Sequence, residues 1–554
     1  DYALSFSNYF QKRADTPTGA AYDFQTGKDI GRYYVADNVG VSDNNTTNYK
    51  TQLNGRLQYE TTIAQNHNIG AMFVYSEEYW HTRSTGASRN DRIHPSTSEI
   101  NSALTNVQSN SGSSASEGLR SYIGRMNYSA YDKYLLEFSF RVDGSSKIMK
   151  GQRYGFSPTV AVGWRFTEEE FLKKYLSSWL SSGKLRASWG KLGDNSGVGR
   201  FEQLETLTAM NYMSSDVVKG FVNKKMINKD LSWEVSTDIN VGLDLGFLNN
   251  RLRTEIDFYN RLRTGMNRPS QMSIHLTGAY SAPRANIGDL LNRGLELNLT
   301  WKDKIGNVEY SVNLNGAYNR TVLKEWNEFL SSGWVYLDMP YHFLYVYENN
   351  GIAQTWQDIY NNTPQGLSPG DVIRKDLNGD GIIDGKDKKA YPNIQRDRPT
   401  TTYGITLQAA WKGFDISMLF NGGLGRKDFW LTDFNNTAFA DRRYASTWDH
   451  WTEPWSLENR GGEWPRLGTS TDRSDNSYWL YNMNYLRMKN IMLGYNLPKK
   501  LLSKISMTNL RIYASAENLF TVTQYPGLDP EKKNSARDLY PINRSFSIGL
   551  NVSF

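Results

Sequence analysis

Apolar and polar residues take turns through much of the chain, at the two-residue period of an extended strand with two unlike faces. In "DINVGLDLGF", Ile239, Val241, Leu243, Leu245 and Phe247 share one side, while Asp238, Asn240, Gly242, Asp244 and Gly246 take the other. "GLELNLTW" sets Leu295, Leu297, Leu299 and Trp301 against Glu296, Asn298 and Thr300. "YLLEFSFR" and "TYGITLQAAW" repeat the arrangement, with Tyr134 and Trp411 at strand ends, and "RSFSIGLNVSF" carries it through Phe546, Ile548, Leu550, Val552 and Phe554. The pattern predicts about sixteen strands, near residues 2–13, 51–65, 68–82, 119–131, 134–146, 154–166, 183–191, 234–247, 251–264, 293–302, 308–320, 401–411, 414–421, 484–496, 508–520 and 542–554.

Alternation alone fits either a sandwich with a dry core or a barrel with lipid outside and a wet lumen. The connections separate the two. Tight turns fall near Asn66–Asn68, Asp132–Lys133, Asn249–Asn250, Asp303–Gly306 and Lys412–Gly413, and long loops near 14–50, 83–118, 192–232, 265–290, 321–400 and 422–483. A short link near 147–153 and a helix-like one near 167–182 fit less cleanly. Short turns sorted to one side and long loops to the other is the outer-membrane pattern, and a sandwich has no physical reason to adopt it. The fold class expected is therefore all-β, a transmembrane antiparallel β-barrel. If the final strand runs from outside inward, its tight turns would be periplasmic, its long loops extracellular, and the aromatic final residue, Phe554, would sit at the inner interface.

Composition agrees. The 554 residues hold only 39% hydrophobic residues but 35 Tyr, 16 Trp and 46 Gly, which suits strands and turns. No run of about 18 apolar residues offers a membrane helix, which leaves a strand-built span open. With no cysteine, disulfides and thiolate metal sites are excluded, and a net charge of +6 over this length is too diffuse to indicate nucleic acid. Six histidines stand scattered at 67, 81, 94, 275, 342 and 450, and neither H-E-x-x-H, a G-x-S-x-G elbow nor a phosphate loop occurs, so no enzyme is expected.

"DLNGDGIIDGKD" is the stretch richest in chemistry. Asp376, Asn378, Asp380, Asp384 and Asp387 occupy positions 1, 3, 5, 9 and 12 of an EF-hand-like loop within residues 371–390, with Gly381 at the sharp turn and Ile382 offering its carbonyl at position 7. Oxygen ligands at that spacing suit Ca2+, with Mg2+ still open; the competing reading is an acidic turn without a cation. Loop 422–483 carries Trp430, Trp448, Trp451, Trp455 and Trp464, and loop 321–400 carries Trp334, Tyr336, Tyr341 and Tyr345. These aromatics are candidates to stack on sugar rings, or else to pack the loops on themselves or against another subunit. Asp238, Asp244, Glu255, Asp257 and Glu296 are expected to line the lumen, solvated or in contact with a further part of the protein.

Several longer stretches resemble the SusC (SusC/RagA) family of TonB-dependent outer-membrane transporters of the Bacteroidetes. They are "SYIGRMNYSAYDKYLLEFSFRVDGSSK", "YGFSPTVAVGW", "KLRASWGKLGDN", "GLDLGFLNNRL", "NRGLELNLTW", "YLRMKNIMLGYNLP" and "LRIYASAENLFTVTQYPGLDPE". The likeness covers residues 119–554 closely and 1–118 weakly. It implies that 1–554 is the barrel portion of a 22-stranded importer, with the plug, TonB box and first strands belonging to a segment or chain outside this one. It also implies a SusD-like surface lipoprotein as lid, energy from TonB, oligosaccharide or peptide cargo, and a dimer of such heterodimers. By the same resemblance the acidic loop is structural and Phe554 belongs to the signal read by the assembly machinery. A plug-free porin-like channel and a surface-binding barrel are the alternatives.

Overall fold

The computed structural model describes residues 2–14, 20–22, 29–32, 40–90, 97–104, 108–176, 178–213, 217–223, 226–273, 275, 282–328, 336–340, 343–429, 454–462, 464–466, 476–502, 507–526, 529–531 and 542–553. Among these, sixteen strands form one sheet in which each strand hydrogen-bonds to its neighbours in chain order, always antiparallel. They are Tyr2–Ala14, Val41–Ile63, His67–Arg89, Gln108–Ala130, Tyr134–Ser145, Tyr154–Trp164, Leu180–Asp194, Glu234–Phe247, Leu252–Thr264, Asp289–Ile305, Val308–Glu325, Thr401–Trp411, Phe414–Leu424, Tyr485–Asn496, Asn509–Thr523 and Ser545–Ser553. Each expected strand lies within one of these spans or nearly so.

Following the register across the sheet shows why the alternation exists. Phe247, Leu252, Trp301, Val312, Leu407, Met418 and Ile491 face one another in a row over seven strands. One residue away, the row reads Gly246, Arg253, Thr300, Asn313, Thr406, Leu419 and Asn490. One side of the sheet is thus predominantly apolar, and its Leu57, Phe258, Leu295 and Ile548 stand open to the surroundings. No soluble protein leaves a surface of that extent uncovered, whereas lipid covers it without cost. At the tight-turn end this face ends in aromatics. Tyr134 pairs with Trp164, Trp179 stacks on Phe247 at 5.8 Å, the Trp301 indole donates to the Tyr310 hydroxyl at 3.2 Å, and Phe414 lies 4.4 Å from Tyr495. Such a belt belongs at a membrane–water boundary.

The tight turns follow from backbone chemistry. Consecutive left-handed residues, Ala64–Gln65, Tyr131–Asp132 and Lys412–Gly413, reverse the chain with the twist a hairpin favours. The helix-like link is a 3-10 turn, Phe166–Glu168, followed by the helix Glu170–Leu176.

Two expected loops were misjudged. Residues 41–50 and 83–89, with 108–118, continue their strands, giving three strands of 23 residues each. At about 3.3 Å per residue these are roughly 75 Å long, far beyond the 9–11 residues that span a bilayer. Where a hairpin stands clear of the membrane both faces meet water, so "SDNNTTN" and "SNSGSSASEG" lose the apolar half of the alternation and read as loop. Two clusters of buried apolar residues lie at that end: Leu344, Val346, Phe429 and Trp479 form one and Met483 with Tyr525 the other.

Candidate functional site

The polar face of the sheet is charged, and several of its carboxylates are paired across strands. Arg186 donates to Asp244 at 2.7 Å and to Asp257 at 2.9 Å. It reaches Asp257 past Gly242, where a Cβ would sit 2.6 Å from the Asp257 carboxylate and 2.7 Å from the guanidinium. Arg261 neutralises Asp238 at 2.6 Å, and Asn298 donates to Glu255 at 3.2 Å. Of the five carboxylates expected along this wall, Asp238, Asp244, Glu255 and Asp257 therefore stand in cross-strand contacts. Glu60, Glu137, Lys184, Arg186 and Asn240 line a concavity of about 810 Å³ on this face.

At the long-loop end, residues 376–387 close into a ring. Asp376 accepts from the Gly379 amide at 2.6 Å with one oxygen, and from the Gly381 amide at 2.9 Å and the Thr363 hydroxyl at 3.1 Å with the other. Asn378 accepts from the Asp380 amide and donates to the Asp380 carboxylate, both at 2.9 Å. Gly379 and Gly381 take φ of 74° and 79°, the left-handed geometry that keeps so tight a ring unstrained. Asp387 is buried completely; it accepts from the Leu377 and Asp384 amides at 2.9 Å each and its carboxyl lies against that of Asp376. The Asp384 amide foremost holds the Asp387 carboxyl below the usual aspartate range. Asp384 caps the short 3-10 turn Gly385–Asp387, and Ile382 points outward, 64% exposed. Among the described residues no three acidic or histidine side chains are gathered closely enough to hold a metal as they stand.

The aromatic candidates divide. Tyr336 packs its ring 5.5 Å from Phe343 and from Tyr345, whose hydroxyl donates to the Gly385 carbonyl at 3.0 Å and so ties this cluster to the acidic ring. Trp455 is buried and donates to Gln354 at 3.0 Å; Trp464 stacks on Trp479 at 6.2 Å. These two tryptophans pack the loops on themselves. Trp334, Tyr341, Trp430, Trp448, Trp451 and Phe554 lie outside the described residues.

Sequence reasoning missed the buried charges that knit the loops to the sheet. Asp371, 1% exposed, takes the Arg466 guanidinium at 2.8 and 3.2 Å, joining the loop after Glu325 to the loop after Leu424. Arg426, equally buried, donates to the carbonyls of Arg396, Pro530 and Glu531 at 3.0 to 3.2 Å. Arg487 holds Asp529 at 2.7 Å and Glu531 at 2.6 Å. Arg487 stands in "YLRMKN" and the acids in "GLDPE", two of the stretches behind the family resemblance. A cation within a strand was the available signal.

Residues 1–368 match the family model described as "TonB dependent receptor-like, beta-barrel". The chain is 28% identical to TonB-dependent receptor P3 of Formosa agariphila, covering 100% of this chain and 59% of that protein. It is 30% identical to TonB-dependent receptor SusC of Bacteroides thetaiotaomicron over 79% of this chain and 44% of the relative. The chain thus spans about half the length of these relatives. Among solved structures, the RagAB peptide transporter superposes with a TM-score of 0.80 at 22% identity, over 100% of this chain and 59% of that one, a likeness of fold.

Proposed function

Since the chain belongs to the TonB-dependent receptor-like β-barrel family, we propose that it forms the wall of an outer-membrane importer for oligosaccharides or peptides. The observation that carries this is the two-faced sheet: apolar rows for lipid outside, a polar wall inside, and the described parts of the loops after Glu325 and Leu424 packed into a cap at one end. The inner concavity would receive a plug, and its lining is polar, with Arg186 already bound to Asp244 and Asp257, which suits a hydrated path. A SusD-like lipoprotein would close over the cap, two such pairs would associate, and TonB would supply the pull that moves the plug. The test is uptake by cells with and without this chain, offered separate oligosaccharide and peptide mixtures. Loss of uptake of one class, both on deletion and on uncoupling TonB, is expected. Uptake that survives uncoupling of TonB would mean a passive channel and overturn the importer.

Within that cap, the acidic ring would hold a structural Ca2+ on Asp376, Asn378, Asp380, Asp384 and Asp387 with the Ile382 carbonyl. What supports it is an all-oxygen donor set in one closed ring, with two carboxyls in contact that a cation or a proton must reconcile. Terbium luminescence excited through the protein's aromatics, displaced by Ca2+ and abolished by Asp376→Ala, is the expected result. An unchanged signal in that variant would remove the ring as the site.

A further inference from the structure

Two arginines face each other on the apolar side of the sheet. Arg293, in Asp289–Ile305, stands directly opposite Arg320, in Val308–Glu325. Counting from Trp301 in the aromatic belt, the same face of the first strand reads Leu299, Leu297, Leu295 and then Arg293. Eight residues at about 3.3 Å, tilted by about 40°, rise roughly 20 Å, near the top of an apolar band about 25 Å tall. The pair therefore lies where the outer leaflet's headgroups begin.

Its surroundings form a shelf. Immediately below, Phe258, Leu295 and Tyr318 make one row across three strands, each about half exposed. Immediately above, Leu291 and Val322 are buried, with Val322 bridged to Pro340 so that the segment Tyr336–Pro340 overhangs. Together these residues enclose a concavity of about 510 Å³, with Lys324 at its edge bonded to Asp338. Like charges directly opposite in a ladder repel. Among the described residues Arg293 donates only to the neutral Asn260, at 2.7 Å, and the buried Nε of Arg320 has no acceptor, while Asp338 at the rim is taken by Lys324. Neither guanidinium has an acidic partner among the described residues. A single arginine at this depth would be satisfied by reaching up to water; a facing pair under an overhang calls for an anion between them. An acidic protein cannot come to this row from the membrane side, whereas a lipid can.

We propose that this shelf binds a phosphorylated lipid of the outer leaflet. Its phosphate would bridge the forks of Arg293 and Arg320, a geometry guanidinium suits better than ammonium, and its acyl chains would run down over Phe258, Leu295 and Tyr318. The proposal rests on the orientation of the sheet in the membrane and is independent of which cargo passes through.

The test uses the complex purified in detergent, titrated by native mass spectrometry with a bisphosphorylated acyl-glucosamine lipid, its dephosphorylated form and inorganic phosphate. The phosphorylated lipid is expected to bind at least about tenfold more tightly than the dephosphorylated one, and the double variant Arg293→Gln with Arg320→Gln to lose that difference. Arg251→Gln, which removes a charge paired with Asp303 at the tight-turn end, is expected to bind like the parent. Should the double variant fail to fold, Arg320→Lys keeps the charge, removes the fork and is expected to give a partial loss. Equal binding of both lipids, equal binding by parent and variants, or inorganic phosphate occupying the site without displacing lipid would each overturn the proposal.

Discussion

Arg487 and Asp529 keep 3% and 1% of their side-chain surface in water, and one Asp529 oxygen has no hydrogen-bond partner even with the arginine present. Truncating the cation leaves a carboxylate stranded, which costs about 3–5 kcal/mol in buried pairs. Arg487→Ala is therefore expected to lower the denaturation midpoint strongly and to release the Glu531 amide, which donates to Asp529, to hydrogen exchange, while a shift under about 1 kcal/mol would mean the site is hydrated. Asp387 gives a pH-dependent counterpart. Its folded-state pKa lies below the ordinary 3.8, chiefly because the Asp384 amide donates to the ionised form. The stabilisation is thus fully present above 3.8 and vanishes as pH falls through the lower folded-state value. Exchange protection at the Leu377 and Asp384 amides should persist at neutral pH, disappear in strong acid, and be lost already at neutral pH in Asp387→Asn. Neither role was legible beforehand. The loop's spacing exposed Asp387 as a ligand candidate, but its bracing of the ring depends on which amides the folded loop turns toward it.

At the level of elements, the hairpins were legible where two different solvents flank the strand and illegible where water lies on both sides. That is why Leu252–Thr264 was placed within one residue at its start and Val41–Ile63 was begun ten residues late. The turns themselves differ in tolerance. Gly413 has φ of 91° and a Cβ there would meet the Asn496 carbonyl at 2.8 Å, whereas Gly306, at 60°, has nothing within 4 Å. Gly413→Asn should cost about 1–3 kcal/mol, and Gly306→Asn close to nothing, because asparagine visits the left-handed region readily. Equal effects on refolding into detergent or lipid would show that crowding at Asn496 is not what selects glycine.

For the whole molecule, the decisive property is that one side of the sheet meets lipid. Leu297 lies in the middle of the apolar face and Asn298 beside it on the polar face. Leu297→Arg should destabilise folding into bilayers by about 2–4 kcal/mol, and Asn298→Arg by much less; comparable losses would contradict the assignment of faces. By itself the sequence determined the strand count, the two faces, the sorting of turns from loops and the acidic ring, because each is written in residues close together along the chain. The rest was decided only in three dimensions: that Asp238, Asp244 and Asp257 are already paired with arginines, that Trp455 and Trp464 serve the cap's interior, and that Arg293 meets Arg320. In all of these the partners lie at least nine residues apart, mostly on separate strands or loops, and which side chains come face to face is set by strand register and loop packing, which no local pattern encodes.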